Sequence, residues 1–144
     1  MLFNCTNEPY SGTTSICEVG LDGSGFRVVL TPADSPAGLP DIGDLQAPDY
    51  APDGSIVFEA SWTGEEIWRL APGAGTPTRI SSSSAYNNDN SPTVLPNGNI
   101  VSLWMNRPNG SSVHELKVMT PDGNNYFMAL TDIDIADIGL GSGR

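Results

Sequence analysis

Short apolar runs of about five residues recur along the whole chain, and each run is bounded by polar residues and a turn-forming pair. Residues 56–60 (Ile-Val-Phe-Glu-Ala) and 100–104 (Ile-Val-Ser-Leu-Trp) are examples. No run with a helical 3.6-residue period extends beyond one or two turns. The pattern therefore predicts an all-β protein built from many short strands.

The predicted strands are separated by Asx-Gly pairs. Such pairs favour tight hairpins, because a type I′ turn needs positive φ at both central residues. The pairs are Asp22-Gly23, Asp53-Gly54, Asn97-Gly98, Asn109-Gly110 and Asp122-Gly123. We expect a type I′ hairpin at each of them.

Three segments of the chain repeat one another without gaps if the two ends of the sequence are joined. They are 47–60, 91–104, and 136–144 continued by 1–5. The repeat extends further, since Thr31, Ser81 and Thr131 recur every 50 residues at the end of a predicted strand. A period of about 40–50 residues with four strands per unit is typical of a β-propeller blade.

The repeat divides the chain into three four-stranded blades within a single domain. We label the strands of a blade A to D from the central channel outward. Blade one covers 1–31, with its inner strand A supplied by 135–140; blade two covers 47–81, with A at 47–51; blade three covers 91–131, with A at 91–95. The interrupted repeat predicts that the C-terminal strand lies beside the N-terminal ones.

The blade pattern resembles the TolB-type, WD40-like propeller repeat, which runs Pro-x-x-x-Pro-Asp-Gly, then an Ile/Phe strand, then a strand ending in Thr. Blade two carries the resemblance through Pro48, Pro52, Asp53, Gly54, Phe58, Ile67 and Gly73. Blade three adds Pro92, Pro96, Gly98, Asp122, Gly123 and Thr131. The resemblance implies a six-bladed propeller. It does not imply one function, because such repeats occur in binding proteins, beside peptidase domains and in lyases.

Three blades do not close a ring, since propellers typically carry four to eight. An open fan would expose apolar sheet faces and one unpaired strand. We therefore expect a homodimer with six blades, in which 135–140 completes blade one of the partner. The alternative is that the sequence is a fragment of a longer propeller.

Composition and charge limit the classes of binding partner and the cellular locations that we expect for this protein. The net charge is −11, with 17 acidic and six basic residues that are scattered, so we expect no nucleic-acid partner. No stretch approaches the roughly 18 apolar residues of a membrane span. The location is cytoplasmic if Met1 is the native start, and otherwise periplasmic or secreted.

The residues that most often carry chemistry are few. Cys5 and Cys17 would lie opposite each other if their strands pair, so a cross-strand disulfide and two buried thiols both stay open. No further Cys or paired His suggests a zinc site. His114 is the only histidine and reads best as a strand residue, because no nucleophile motif accompanies it. We expect neither catalytic residues nor a cofactor.

The loops that join strand D to the next strand A, and strand B to strand C, would emerge at the same end of every blade. Loops on a rigid scaffold commonly carry function. We therefore predict a ligand-binding face at this mouth of the channel, formed by Asp44, Trp62, Tyr86, Asp89, Arg107 and Asp134. Carboxylates gathered there would attract a cation or a basic group. The alternative is that these residues only cap turns between the blades.

The sequence as a whole favours a non-enzymatic binding scaffold whose partner, apart from a second copy, is an unknown small molecule, glycan or protein. A carbohydrate-active lyase or hydrolase with carboxylates at the channel mouth is the alternative, since carboxylate pairs suffice for that chemistry.

Overall fold

The computed structural model describes residues 1–6, 12–40, 43–81, 87–106 and 113–130. These ranges form antiparallel sheets and one short 3-10 turn at Pro32–Asp34. The strands are β1 Leu2–Cys5, β2 Ser15–Glu18, β3 Arg27–Leu30, β4 Leu45–Tyr50, β5 Ile56–Ala60, β6 Glu66–Leu70, β7 Thr78–Arg79, β8 Asn87–Val94, β9 Ile100–Asn106, β10 Val113–Met119 and β11 Tyr126–Leu130. Within these ranges, no helix has the length and apolarity needed to cross a membrane.

The strands form three sheets that correspond to the three predicted blades. Their orders are β1-β2-β3, β4-β5-β6-β7 and β8-β9-β10-β11, and every neighbouring pair is antiparallel. The all-β class is confirmed. The predicted inner strand of blade one, 135–140, lies outside the described residues, so blade one is described here by strands B, C and D alone.

The inner strands of blades two and three begin earlier than the predicted starts at 47 and 91. β4 begins at Leu45 and β8 at Asn87 because each strand contains a bulge that lets pairing continue past its proline. The pairing register shifts between Gln46 and Asp49 and between Asn90 and Thr93. At the bulges, Ala47 and Ser91 adopt positive φ of 46° and 49°, and each precedes a proline. Both strands lie at a sheet edge, where a proline is tolerated.

The Asx-Gly hairpins differ from the predicted type I′ turns. In each described turn only the glycine has positive φ, between 74° and 86°, and its N–H donates to the carbonyl three residues earlier. The pairs are Gly23–Gly20, Gly54–Ala51, Gly98–Leu95 and Gly123–Thr120. This is a type I turn followed by a left-handed glycine. The prediction of type I′ was wrong because the turn begins one residue earlier. The residue before Asx, a proline in three of the four turns, occupies position i+1 of a type I turn, so Asx falls at i+2, where φ is negative. Asn109-Gly110 lies outside the described residues.

The apolar core consists of two layers, one on each face of blade two. Side chains alternate across β5, so Ile56 and Phe58 pack with Ile16 and Leu30 of blade one. The other face presents Val57 to Ile100, and Ile67 and Met119 belong to the same layer. Packing of sheet face on sheet face between successive blades is the arrangement that a propeller requires.

Cys5 and Cys17 form a disulfide. The two residues are not directly opposite, as the sequence suggested, because Cys5 pairs with Ser15 and Cys17 pairs with Phe3. They are diagonal neighbours on the same face of the β1–β2 ladder, with Cα atoms 5.9 Å apart. That distance lies within the range that a disulfide spans without moving the backbone.

Candidate functional site: an acidic edge where the inner strands begin

The entry into β4 and the connection from β5 to β6 meet at one edge of blade two. The Asp44 N–H donates to Ser61 Oγ at 2.8 Å, and the Ser61 N–H donates to the Asp44 carbonyl at 3.1 Å. The D–A and B–C connections therefore share one end of this blade, as the repeat predicted. We call this end, with Asp44, Glu59 and Glu65, the acidic edge.

Glu59 is the most perturbed carboxyl group of the acidic edge. It lies on β5, faces blade three, and is buried. Its Oε2 accepts a bond of 2.9 Å from the N–H of Ser91, the bulge residue of β8. Burial raises the pKa of Glu59, the Ser91 bond opposes this, and the negative charges of Glu65 and Asp44 raise the pKa further.

Glu65 connects the acidic edge to the first residues of β8. Its carbonyl accepts a bond of 3.0 Å from the Asp89 N–H. Its carboxylate accepts a bond from the Asn88 side-chain amide. These two bonds hold the beginning of an inner strand against the B–C connection of the preceding blade.

Asp44 performs a similar role at the junction with blade one. Its Oδ1 accepts bonds from the Thr14 N–H at 2.8 Å and from Thr14 Oγ1 at 3.1 Å. The Leu45 N–H donates to the Thr14 carbonyl at 3.1 Å, which reinforces the same junction. The carboxylate is partly buried, and its charge reaches Glu59.

Trp62, predicted from the sequence to face a ligand, belongs to the core between blades one and two. Its side chain is 3% exposed, and its indole N–H donates to the buried Pro32 carbonyl at 3.1 Å. Its ring packs edge-on against Phe58 and Trp68, with centroid distances of 6.0 and 4.9 Å. Trp62 thus lies in the core, next in sequence to Ser61, which bonds to Asp44.

Asp89 is 1% exposed and is fully engaged by side chains of blade three. Lys117 Nζ lies 2.9 Å from its Oδ2, and Ser102 Oγ donates to its Oδ1 at 3.1 Å. Its carboxylate therefore stabilises the blade, while its backbone N–H, bound to Glu65, joins the acidic edge.

Half of the predicted face lies outside the described residues, namely Tyr86, Arg107 and Asp134. Among the described ones, Asp44 lies close enough to Glu59 for its charge to act on that carboxyl group, and Glu65 acts on Glu59 in the same way. The sequence analysis missed both glutamates. The signal for Glu59 was present, since it is a charged residue within the apolar run 56–60.

The acidic edge offers negative charge and hydrogen-bond acceptors. Across the ranges that the structure describes, no three His, Cys, Asp or Glu side chains are grouped so as to hold a metal ion.

Comparison with known proteins adds information about the fold. No family model matches the chain, and no curated protein matches its sequence. The crystal structure of TolB from Acinetobacter baumannii, a β-propeller, superimposes with a TM-score of 0.64 and 18% sequence identity. The match covers 90% of this chain and 29% of the TolB chain, so this chain spans less than a third of that protein. At this identity the similarity shows a distant TolB-like, propeller-like fold and nothing further.

Proposed function

We propose that the protein is a non-enzymatic binding scaffold that takes a positively charged group of a small molecule, glycan or protein at the acidic edge. The observation that carries this proposal is the raised pKa of Glu59, which burial and the charges of Glu65 and Asp44 produce together. A bound cationic group would favour the ionised form of Glu59, so part of the free energy that burial and the charges of Glu65 and Asp44 cost that carboxylate would be recovered on binding.

The proposed binding face includes the rest of the predicted loop residues at this end of the blades. Tyr86, Arg107 and Asp134 would complete it from the loops. Asp89 would position it, since its N–H donates to the Glu65 carbonyl at the start of β8, whereas Trp62 lies in the core next to this end of blade two.

We further propose that six blades form from two copies, with the 135–140 segment of each copy pairing along β1 of the other. The support is that β1 is the last strand of its sheet on the inner side in the described part of the chain, whereas β5 and β9 are each covered by an inner strand. The rival proposal is that further blades of a longer chain supply this cover, and the partial coverage of TolB is compatible with it.

A charged-peptide titration tests the binding proposal. Tetra-arginine amide is titrated into the protein by calorimetry at low salt, with acetylated tetra-glutamate as the ligand control. Glu65→Gln preserves an acceptor for Asn88 and should weaken tetra-arginine binding by up to about fivefold, the usual scale of one exposed charge pair. Asp22→Asn, in the β2–β3 turn at the opposite end of blade one, removes the same charge and should leave binding unchanged.

Equal weakening by Glu65→Gln and Asp22→Asn would show that only the overall negative charge attracts the peptide, and it would reject the acidic edge as the site.

A further inference from the structure

Blade three presents an apolar sheet face on the side away from blade two. Side chains alternate across β9 and β10, so Ile100 and Met119 pack against blade two, and their neighbours face the other way. The pairs Leu103–Leu116 and Val101–Val118 lie on that second side, and Phe127 pairs with Val118. We call this set the free face of blade three: Val101, Leu103, Met105, Leu116, Val118 and Phe127. Val118 is largely buried, and the same register places Asn90, Thr93 and His114 on this side as a polar border.

Part of the free face of blade three is exposed to solvent. Phe127 is 60% exposed, and Val101, Leu103, Met105 and Leu116 are each partly exposed. A monomer rarely leaves a continuous apolar sheet face open to water.

Blade one has a corresponding face on its side away from blade two. Ile16 and Leu30 pack toward blade two, so Phe3, Val28 and the Cys5–Cys17 disulfide lie on the opposite side. Phe26, next to β3, is 62% exposed and has its ring centroid 6.3 Å from that of Phe3. We call Phe3, Cys5, Phe26 and Val28 the free face of blade one; Cys17, on the same side, is already fully buried within the chain.

Neither free face carries a carboxylate, in a protein with 17 acidic residues and a net charge of −11. The blade surfaces turned toward blade two do carry charge, as Glu18 with Arg27 and Asp89 with Lys117 show. Depletion of charge on a sheet face is typical of the core of a protein–protein interface. Two such faces at the two ends of one chain therefore indicate surfaces that are covered in the assembled protein.

We infer that the free face of blade three of one copy binds the free face of blade one of a second copy. This inference rests on the proposed two-copy ring and specifies its contact surfaces. The contact would repeat the packing already present within the chain, where Val57 and Ile67 of blade two meet Ile100 and Met119 of blade three. A two-fold axis would produce the contact twice, and two blade-on-blade contacts fit the roughly 2,000 Å² or more of an obligate interface.

Pairing between unlike faces gives a mixing experiment with a specific outcome. Phe127→Asp alters only the blade-three face, and Val28→Asp alters only the blade-one face. In either variant alone, both contacts of the ring join one altered face to one intact face. In an equimolar mixture of the two variants, one of the two contacts joins two intact faces. Leu21→Asp is the matched control, because Leu21 is 95% exposed in the β2–β3 turn and belongs to neither face.

The measurements are native mass spectrometry and sedimentation at micromolar concentration, with circular dichroism of each variant to establish that it is folded. The parent and Leu21→Asp should have twice the 15.2 kDa chain mass. Each face variant should show at least tenfold weaker self-association, and the mixture should recover two-chain species containing one copy of each variant.

The contradicting outcomes are distinguishable. A two-chain parent whose mass is insensitive to both face substitutions, or a mixture without recovery, would overturn the assigned faces while leaving the proposed two-copy ring. A one-chain parent would overturn both and would favour further blades of a longer chain as the cover. A face variant that is unfolded by circular dichroism is replaced by Phe127→Ser or Val28→Ser, for which the same outcomes apply.

Discussion

Lys117 Nζ lies between the two carboxylate oxygens of Asp89, at distances of 2.9 and 3.2 Å, and both side chains are buried. Removing one member of a buried ion pair leaves the other charge uncompensated. Lys117→Met should therefore lower the free energy of unfolding by about 3–5 kcal/mol in guanidinium denaturation. The double substitution Lys117→Met with Asp89→Leu should cost less than the single one, because no buried charge remains. A double variant that is less stable than Lys117→Met would contradict this account.

The raised pKa of Glu59 makes stability depend on pH in a defined direction. A carboxyl group with a higher pKa in the folded protein contributes stability fully below its unfolded value, near 4.5, and loses that contribution as pH rises through the folded value. Glu59→Gln should thus raise stability at pH 7 relative to the parent and have little effect at pH 4. Thermal unfolding at the two pH values measures this. Glu18→Gln is the comparison, because bonds from Tyr50 and Arg27 lower the pKa of Glu18; this variant should lose stability at pH 7 and change less at pH 4.

The Asp122 carboxyl group has the most strongly lowered pKa among the described carboxyl groups with a resolved shift. Bonds from Thr120 Oγ1, from the Asn124 N–H and from the Asn124 side-chain amide lower the pKa of Asp122 to about 2. Carbon-detected NMR titration should show Asp122 still ionised at pH 3. Thr120→Val removes the largest cause and should raise that midpoint. An unchanged midpoint in Thr120→Val would assign the low pKa to the backbone of the turn instead.

Trp62 should affect stability and leave charged-peptide binding unchanged. Trp62→Phe removes the indole N–H and leaves the Pro32 carbonyl without that donor, which should cost about 1–3 kcal/mol in denaturation. Tetra-arginine affinity should stay within twofold of the parent, because the ring lies in the core. Trp104→Phe is the comparison, as Trp104 is only partly buried. A loss of peptide affinity specific to Trp62→Phe would make Trp62 a ligand contact after all.

The disulfide should contribute measurably to the stability of blade one. The crosslink closes a loop with a sequence separation of 12 residues, for which loop entropy predicts about 2–4 kcal/mol. The Cys5→Ser/Cys17→Ser variant should unfold at correspondingly lower guanidinium concentration. Adding reductant should lower the free energy of unfolding of the parent to near that of the variant, and it should leave that of the variant unchanged.

The sequence predicted where the chain turns better than how it turns. Asx-Gly pairs located the β2–β3, β4–β5, β8–β9 and β10–β11 hairpins, but the choice between type I′ and type I with a left-handed glycine depends on where the turn begins. Pro52, Pro96 and Pro121 favour position i+1 of a type I turn, which places Asx at i+2 with a negative φ. Likewise, both cysteines were assigned to neighbouring strands, yet their diagonal relation follows from a register that pairs Cys5 with Ser15.

The candidate site was harder to predict, because its properties arise between blades. Burial and the charges of Glu65 and Asp44 raise the pKa of Glu59. Its hydrogen-bond donor, Ser91, is 32 residues away in sequence. Periodicity cannot reveal such contacts. Conversely, Asp89 was assigned to the connection before strand A, but it lies within β8, and its pairing with Lys117 depends on how β8 and β10 face each other across β9.

Beside its apolar layer, the junction between blades two and three contains hydrogen bonds from the main chain of blade three to carboxylates of blade two. Glu59 accepts from the Ser91 N–H, and Asp49 accepts from the Val94 N–H at 2.8 Å. Every residue except proline supplies that donor, so these bonds place no demand on side-chain identity in the receiving blade. A gene segment encoding one blade could therefore be duplicated and diverge while its copies still docked onto their predecessor.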